Sequence, residues 1–375
     1  MRPKVAINAS GIHGGGGVQV AVSLVDEIFR IDATDLDIYF FVSTEISDEL
    51  HRLGSPVVKS NNYVEVNTHG LWALISKLNL QIYQFPIVFT VFGPNYLSLQ
   101  CGYQIVGFAQ AWIVDGSAYA GLGFSATVRG KLKYYFQKIF FRRADLLVVE
   151  LESVKEKVLN CRVAGEGGVE VVRNCVSGIY FSPDKWLPIP EVAASRFKIG
   201  YICRDYPHKN TDFLPLVKEV LVGKYQLEVD FIVTLNDVEW GKKSIYFREN
   251  VINIGPLSVA QCPNFYRFVD AVIFPSLLEC FSVTPLESMV MKKPLFASDR
   301  DFVHDVCGDF ANYFDPFDPE SAADAIADYV NRSDKAPKIL LAAREHALKF
   351  SSPYGRAVKC VEIIRRSLSK KCSLT

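Results

Sequence analysis

Two glutamates eight positions apart are the residues of this chain whose chemistry stands out first. Glu279 and Glu287 lie in the segment LLECFSVTPLESM (residues 277–289), which holds no other charged side chain. A carboxylate in such apolar surroundings costs desolvation energy unless it accepts hydrogen bonds, and sugar hydroxyls are suitable donors. Thr284, Pro285 and Glu287 fit a capping box with Thr284 as the N-cap, which explains Glu287 structurally but leaves Glu279 without such a role.

Two cations follow an earlier strand-like segment. Residues 200–210 read GYICRDYPHKN and place Arg204 and Lys209 between a predicted buried strand and the next predicted helix. The planar guanidinium of Arg204 and the compact charge of Lys209 could clamp a diphosphate together. On an ordinary loop such a pair is a solvated surface, so the interest of this pair comes from its position.

A glycine-rich turn follows the opening strand VAIN. Residues 11–20 read GIHGGGGVQV, and four consecutive glycines allow a ligand to approach the backbone closely. A helix predicted to begin near Val18 would present its positive dipole end to an anion. The turn is not a G-x-G-x-x-G fingerprint, because Gln19 stands where the third glycine is needed, and no Walker A lysine follows. A flexible turn is the alternative, and we expect His13 to be an exposed loop residue.

These turns occupy equivalent places in a repeated strand and helix pattern. Short apolar runs alternate with longer segments of helical periodicity, and a proline-bearing stretch, SPDKWLPIPEVAAS, interrupts the alternation. We therefore predict an α/β fold with two doubly wound Rossmann-like domains that face a central cleft, in which ligands bind beyond the carboxyl ends of the strands. The predicted boundaries are residues 1–180 for the first domain, 181–196 for the linker and 197–345 for the second domain.

Composition narrows the class of protein. The 375 residues carry 41 basic and 41 acidic side chains, so no overall field attracts nucleic acid. Nine cysteines without a C-x-x-C pair favour reduced thiols and argue against a zinc site. Because the opening residues lack the apolar core of a signal peptide and no run of about 18 apolar residues occurs, we expect a cytoplasmic protein, at most attached to a membrane surface.

Segments in both halves of the chain resemble a known family. ECFSVTPLE resembles the E-x7-E signature, often written E-G-F-G-L-P-x-L-E, of the retaining family-four glycosyltransferases of the GT-B fold. The loop ending GGVQ, VVRNCVSGIYFSP (residues 171–183), GYICRDYPHKN and residues 292–326 also resemble family segments. The resemblance covers both halves and is most specific over residues 197–330. Cys280 and Ser282 depart from it, since the common pattern has glycine at both positions.

The resemblance implies a role for each matching residue. Glu287 would accept hydrogen bonds from the ribose of a nucleotide, Glu279 would contact the transferred sugar, and Arg204 and Lys209 would hold the diphosphate. Backbone N–H groups would complete the diphosphate site, namely those of Phe281, Ser282, Val283, Gly16 and Gly17. Gln110 stands where the family often has a histidine and would contact a sugar. The final helix, within residues 346–375, would return to the first domain.

The implied activity is transfer of a hexose, with retention, from a nucleotide-diphosphate sugar to a glycan. The expected acceptor is a lipid-linked oligosaccharide in the synthesis of O-antigen or a related polysaccharide. No metal or other cofactor is expected, although D-x-D occurs at residues 35–37 and 299–301. A nucleotide-sugar epimerase and a non-catalytic subunit that binds nucleotide sugar remain alternatives, whereas the glycine pattern disfavours an oxidoreductase.

A basic segment suggests a further partner. Residues 129–143, RGKLKYYFQKIFFRR, contain six basic and no acidic side chains. We expect the helically spaced apolar residues to pack on the first sheet; they are Leu132, Tyr135, Phe136, Ile139 and Phe140. Tyr134 and Phe141 are expected to be exposed among cations that would suit an anionic membrane surface, namely Lys131, Lys133, Lys138 and Arg142.

Overall fold

Two compact units make up the computed structural model of this chain. The structure describes residues 2–66, 81–82, 84–96, 102–116, 124–165, 167–331 and 336–372. Unit 1 comprises Met1–Cys175 and Ser351–Thr375, and unit 2 comprises Val176–Phe350. Each unit contains one parallel sheet covered by helices.

The sheet of unit 1 has the order β3-β2-β1-β4-β5-β6-β7, and all its described pairings are parallel. Its central strands are apolar runs with every or nearly every residue buried, as expected for strands covered on both faces. The strands are β1 (Lys4–Ala9), β2 (Asp37–Val42), β3 (Tyr63–Glu65), β4 (Ile87–Thr90), β5 (Tyr103–Gly107), β6 (Leu146–Val149) and β7 (Val169–Val171).

Helices follow most strands of unit 1. They are α1 (Gly16–Arg30), α2 (Thr44–Arg52), α3 (Ala111–Val114), α4 (Phe124–Phe141), α5 (Glu152–Asn160) and, at the end of the chain, α14 (Pro353–Cys372). Helix α14 packs against α1. Buried Arg356 fastens it there, since its guanidinium donates to Asn174 Oδ1 at 2.5 Å and to the carbonyl of Val20 at 3.2 Å.

Helix α4 does not pack as its apolar spacing predicted. Four of the five residues of the predicted stripe are exposed, namely Leu132, Tyr135, Phe136 and Ile139, so the prediction that the stripe covers the sheet is wrong for them. The fifth, Phe140, is partly buried, with its ring centroid 5.1 Å from that of Tyr96. The contacts come from the opposite side of the helix, where Gln137 donates to Tyr96 Oη at 2.9 Å. Periodicity identifies an apolar face but not the neighbour that would cover it, and here the polar Gln137 is buried while most of the apolar face is exposed.

The two aromatic residues predicted to be exposed on this helix are also placed differently. Phe141 is fully buried, with its ring centroid 4.9 Å from that of Phe108. Tyr134 is partly buried and stacks on Trp112. Both side chains therefore anchor α4 to the body of unit 1.

Unit 2 has a second doubly wound sheet, of order β10-β9-β8-β11-β12-β13, with all described pairings parallel. The strands are β8 (Phe197–Tyr201), β9 (Val229–Val233), β10 (Val251–Asn253), β11 (Ala271–Phe274), β12 (Leu295–Ser298) and β13 (Asn312–Phe314). The predicted class, α/β with two doubly wound Rossmann-like sheets, is confirmed.

The helices of unit 2 are α6 (Phe213–Tyr225), α7 (Asp237–Lys242), α8 (Ile245–Asn250), α9 (Cys262–Phe268), α10 (Val283–Val290), α11 (Asp301–Cys307), α12 (Pro319–Asn331) and α13 (Ala336–Leu348). Two short 3-10 turns, Gly178–Phe181 and Pro183–Lys185, precede β8. Leu187 N–H donates to the carbonyl of Ala260 at 2.9 Å, which holds this segment against unit 2. No described helix of either unit has the length and apolar character needed to cross a membrane.

Candidate functional site

The strand order of unit 2 brings the two predicted catalytic loops together. Strand β8 pairs with β9 on one side and with β11 on the other, so the direction of winding reverses between β8 and β11. Ligands of doubly wound sheets bind at this kind of reversal, outside the carboxyl ends of the strands. The loop after β8 carries Arg204 and Lys209, and the loop after β11 carries Glu279.

Lys209 and Glu279 form a largely buried ion pair at this point. Lys209 Nζ lies 2.5 Å from Glu279 Oε1, and the two side chains are 17% and 13% exposed. Ser276 Oγ donates to the same carboxylate oxygen at 2.8 Å. The backbone of Lys209 is fixed to strand β8, because Tyr201 Oη donates to the Lys209 carbonyl at 3.2 Å. A cation and a carboxylate are thus fixed side by side on two different loops.

His208 is a member of this cluster that the sequence analysis did not single out. Its carbonyl accepts the Leu277 N–H at 2.7 Å, which ties the two loops together. Its ring stacks on Tyr206, with Nε2 3.9 Å from Glu279 Oε1. Burial lowers the pKa of His208, Glu279 opposes that effect and Lys209 adds to it. The only signal in the sequence was its position beside Lys209.

Arg204 occupies the outer part of the same loop. Its Nε donates to both carboxylate oxygens of Glu239, at 2.9 and 3.1 Å. Burial by itself would raise the pKa of Glu239, but the hydrogen bonds from Arg204 and from backbone N–H groups outweigh burial and lower this pKa. Arg204 therefore lies near the site but is fastened to α7, and its predicted contact with a diphosphate stays a prediction.

Buried Lys243 anchors the base of this loop. Its Nζ lies 2.6 Å from Asp205 Oδ1, 3.0 Å from Asp212 Oδ1 and 2.7 Å from Thr211 Oγ1. Its side chain is only 5% exposed. Because a buried cation needs its partners, this cluster fixes the loop that presents Lys209.

Glu287 has a very different environment from Glu279. It is buried in α10, and Tyr266 Oη on α9 donates to its Oε2 at 2.8 Å. Burial raises the pKa of Glu287 to about 7, and the hydroxyls of Tyr266 and Tyr180 oppose this rise. The hydroxyl of Tyr180 is itself buried. One signature glutamate is thus paired with a cation, and the other is enclosed by tyrosines.

The predicted capping box around Glu287 is wrong. Helix α10 begins at Val283 with Ser282 as its N-cap, and no side chain caps it. Thr284 is therefore already inside the helix, and Glu287 lies too far along the helix to reach the N-cap. The physical reason is burial, since Glu287 points toward Tyr266 rather than back along the helix.

The start of α10 supplies polar backbone groups to the same region. Phe281, Ser282 and Val283 are partly exposed and form the end of the loop and the first helical residue. The first N–H groups of an α-helix have no intrahelical acceptor, and the helix dipole makes this end positive. The arrangement is suited to an anion, and the predicted contacts of these three N–H groups with a diphosphate stay a prediction.

The glycine loop lies in unit 1, at the carboxyl end of β1. Helix α1 begins at Gly16, two residues before the predicted start, with Gly15 as its N-cap at φ 64°. A Cβ at Gly16 would meet nothing within 4 Å, whereas one at Gly17 would approach Ile12 at 3.2 Å. The predicted ligand contacts of Gly16 and Gly17 stay predictions. His13 lies in the loop, as expected, but it is partly buried and its Nδ1 lies 3.0 Å from Glu45, so the expectation that it is exposed is wrong.

Gln110 also lies in unit 1, beyond the carboxyl end of β5. It is partly buried and is the N-cap of α3, without a capping bond from its side chain. The D-x-D segments are placed elsewhere: Asp35 pairs with Arg365, and Asp299 pairs with His304. Among the described residues, no three His, Cys, Asp or Glu side chains are grouped as metal ligands.

One family model and one curated relative match parts of this chain. Residues 218–346 match the family model Glycosyl transferases group 1. A curated relative, O-antigen chain mannosyltransferase RfbU of Salmonella typhimurium, is 24% identical over 201 residues, covering 51% of this chain and 55% of the relative. The chain thus aligns with only about half the length of this relative. The matched region includes Glu279 and Glu287 but not Arg204 or Lys209.

Comparison with solved structures identifies the fold. A glycosyltransferase from Rickettsia africae shares 18% identity with a TM-score of 0.70, covering 98% of this chain and 99% of the other. HepE from Anabaena, solved with UDP-glucose, shares 13% identity with a TM-score of 0.70, covering 98% and 100%. Sucrose-phosphate synthase from Thermosynechococcus elongatus shares 14% identity with a TM-score of 0.68, covering 99% and 100%. The chain has the GT-B fold, and its residues 218–346 are similar to the group 1 glycosyltransferase domain.

Proposed function

We propose that this protein is a retaining hexosyltransferase of the family-four type, which uses its E-x7-E pair to bind a nucleotide-diphosphate sugar. The observation that carries the proposal is the meeting of Lys209 Nζ and Glu279 Oε1 at 2.5 Å. They meet at the carboxyl ends of adjacent strands β8 and β11, in a unit whose residues 218–346 match the group 1 model.

The chemistry of such a site follows from its charges. Cleavage of the bond between sugar C1 and the diphosphate oxygen leaves negative charge on the diphosphate and positive character on the sugar. Lys209 and the N-terminus of α10 would stabilise the leaving diphosphate. The acceptor hydroxyl then bonds to C1 on the face that the diphosphate leaves, and its proton passes to a phosphate oxygen, so no side-chain nucleophile is needed.

The remaining predicted residues take supporting roles in this proposal. Glu279 would exchange part of its contact with Lys209 for hydroxyl groups of the transferred hexose, and Glu287 would accept from the ribose hydroxyls. Arg204 would reach the diphosphate with the guanidinium nitrogens that do not contact Glu239. The reaction would need no metal or cofactor besides the donor.

The acceptor is proposed from chemistry that the relatives suggest. RfbU is named for mannosyl transfer to O-antigen chains, and HepE was solved with UDP-glucose. We propose a lipid-linked oligosaccharide of O-antigen or a related polysaccharide as the acceptor, used at the cytoplasmic face of a membrane.

Donor binding and transfer can be tested separately. The purified protein would be titrated with UDP and with GDP, and then incubated with UDP-glucose or GDP-mannose and a polyprenyl-diphosphate-linked disaccharide. We expect binding of one of the two nucleotides and a product whose anomeric configuration, read by NMR, matches that of the donor. Inversion of configuration, or the absence of binding to either nucleotide, would overturn the proposal.

Matched variants identify the site. Glu279→Gln should reduce transfer by about 100- to 1,000-fold, because it removes the negative charge that faces the reacting sugar, while nucleotide binding is retained. Glu249→Gln, an exposed residue of α8, is the control and should leave transfer unchanged. Conversion of donor alone to its epimer would favour the epimerase, and nucleotide binding without turnover of any acceptor would favour a binding subunit.

A further inference from the structure

Helix α4 exposes an unusual number of large apolar side chains. Val128, Leu132, Tyr135, Phe136 and Ile139 are between 37% and 63% exposed. Their spacing of three and four residues places all five on one face of the helix. Large contiguous apolar patches on a protein surface mark interaction sites.

The opposite face of α4 is the one that holds the helix in place. Gln137 and Phe141 are buried, and Tyr134 stacks on Trp112. At 100° per residue, the centre of this inner face lies about 180° from the centre of the exposed apolar face. The apolar face is therefore directed away from unit 1 and is not a gap in its core.

Cations border the apolar face on both sides. The turn of the helix places Lys131, Lys138 and Arg142 along one edge and Arg129 and Lys133 along the other. Arg142 and Arg143 continue the helical turn, because their N–H groups donate to the carbonyls of Lys138 and Phe140. No acidic residue occurs from position 129 to position 143, although the whole chain carries equal numbers of acidic and basic side chains.

We infer that α4 lies on an anionic lipid bilayer, with its exposed apolar side chains inserted at the acyl boundary and its bordering cations among the headgroups. An apolar stripe between two rows of cations matches a layer that is apolar below and anionic at its surface. A protein partner or a second copy of this chain would have to supply a matching acidic rim. This inference adds a mode of attachment to the proposed function, which places the acceptor in a membrane, but it does not depend on donor chemistry.

The charge contribution sets the scale of the expected effect. A cation close to an anionic leaflet contributes about 1 kcal/mol, which is about a fivefold change in partition for each charge removed. Exposed apolar side chains that insert add a part that salt does not screen. Binding should therefore weaken at high ionic strength without disappearing.

Co-sedimentation of the full chain with vesicles tests the inference. Phosphatidylcholine vesicles would be compared with vesicles that also contain phosphatidylglycerol, at low and high salt. We expect binding only when phosphatidylglycerol is present. Leu132→Gln/Phe136→Gln should lose at least about tenfold in partition and should reduce the part that resists salt. A matched control is Val238→Gln/Ile245→Gln, two apolar residues of unit 2 that are somewhat more exposed than Leu132 and Phe136.

A charge variant provides the second arm. It combines four substitutions, Lys131→Gln, Lys133→Gln, Lys138→Gln and Arg142→Gln. We expect it to lose more than about 100-fold in partition at low salt. Circular dichroism, thermal unfolding and binding of UDP or GDP would verify that each variant is folded, and nucleotide binding would also separate failure of this inference from failure of the proposed function.

Three outcomes would overturn the inference. They are the absence of binding to phosphatidylglycerol vesicles, equal binding by the wild type and both α4 variants, and a wild-type dimer that Leu132→Gln/Phe136→Gln converts to monomer. The last outcome, measured by analytical ultracentrifugation, would make the apolar face an interface between copies.

Discussion

Replacement of Glu287 by glutamine should stabilise the protein in a pH-dependent way. Glu287 is buried and accepts a hydrogen bond from Tyr266, and burial raises its pKa from 4.5 to about 7. A carboxyl whose pKa is raised by folding makes its full contribution to the stability of the folded state below about pH 4.5. This contribution is lost progressively as the pH rises from about 4.5 to about 7. Glutamine has nearly the shape of the protonated acid and does not ionise, so Glu287→Gln should lack this loss.

The shift gives the magnitude. It spans about two and a half pH units, and each unit corresponds to about 1.4 kcal/mol. At about pH 5 a small part of the contribution is already lost, because the pKa in the unfolded chain is 4.5. The free energy of unfolding of the variant, minus that of the wild type, should therefore be about 2.5 kcal/mol larger at about pH 8 than at about pH 5. Urea unfolding of both proteins at the two pH values measures this difference directly.

A control and a refuting result are available for this experiment. Glu249→Gln changes an exposed glutamate of the same unit and should show no pH-dependent difference from the wild type. If Glu287→Gln differed from the wild type by the same amount at both pH values, the argument from burial would be wrong, because the carboxyl would then be ionised, or neutral, throughout.

The same substitution should weaken donor binding. An ionised carboxylate accepts hydrogen bonds that are worth about 1.5–3 kcal/mol each, so the affinity for UDP or GDP at about pH 8 should fall by about 10- to 100-fold. Isothermal titration calorimetry measures this change. Unchanged affinity would remove Glu287 from the donor site while leaving the stability prediction intact.

Two further substitutions test how the loops of unit 2 are held. Lys209→Ala leaves Glu279 largely buried without its cation, so we expect a loss of about 1–3 kcal/mol in the free energy of unfolding and a drop in transfer of at least about 100-fold. Urea unfolding measures the first effect and transfer kinetics measure the second. A stability equal to that of the wild type would show that the pair is not buried in solution. Lys243→Met removes the cation beside Asp205 and should lower the free energy of unfolding by about 3–5 kcal/mol. Backbone amides of residues 203–210 should then exchange hydrogen faster. Unchanged exchange in these residues would contradict the anchoring role of Lys243.

Much of the architecture was accessible from the sequence because it depends on local patterns. Short apolar runs followed by helical periodicity predicted parallel sheets, and both sheets were found. The turns after β1, β8 and β11 were predicted as candidate ligand-binding loops. This prediction needed only the secondary structure, because the first N–H groups of the helix that follows such a turn have no backbone partner. Glu279 and Lys209 could be identified as candidate residues in this way, but the distance between them could not be predicted.

The tertiary structure decided which residues meet and which faces are covered. Lys209 contacts Glu279 because β8 and β11 are neighbours, and strand order is not encoded in the periodicity of either strand. Glu287 is enclosed by Tyr266 and Tyr180, which come from other segments of the chain. The local capping pattern predicted a backbone partner for Glu287 and could not show these two tyrosines. The apolar stripe of α4 was visible in the sequence, yet only packing showed that it faces outward, because burial is a property of neighbours and not of the segment itself.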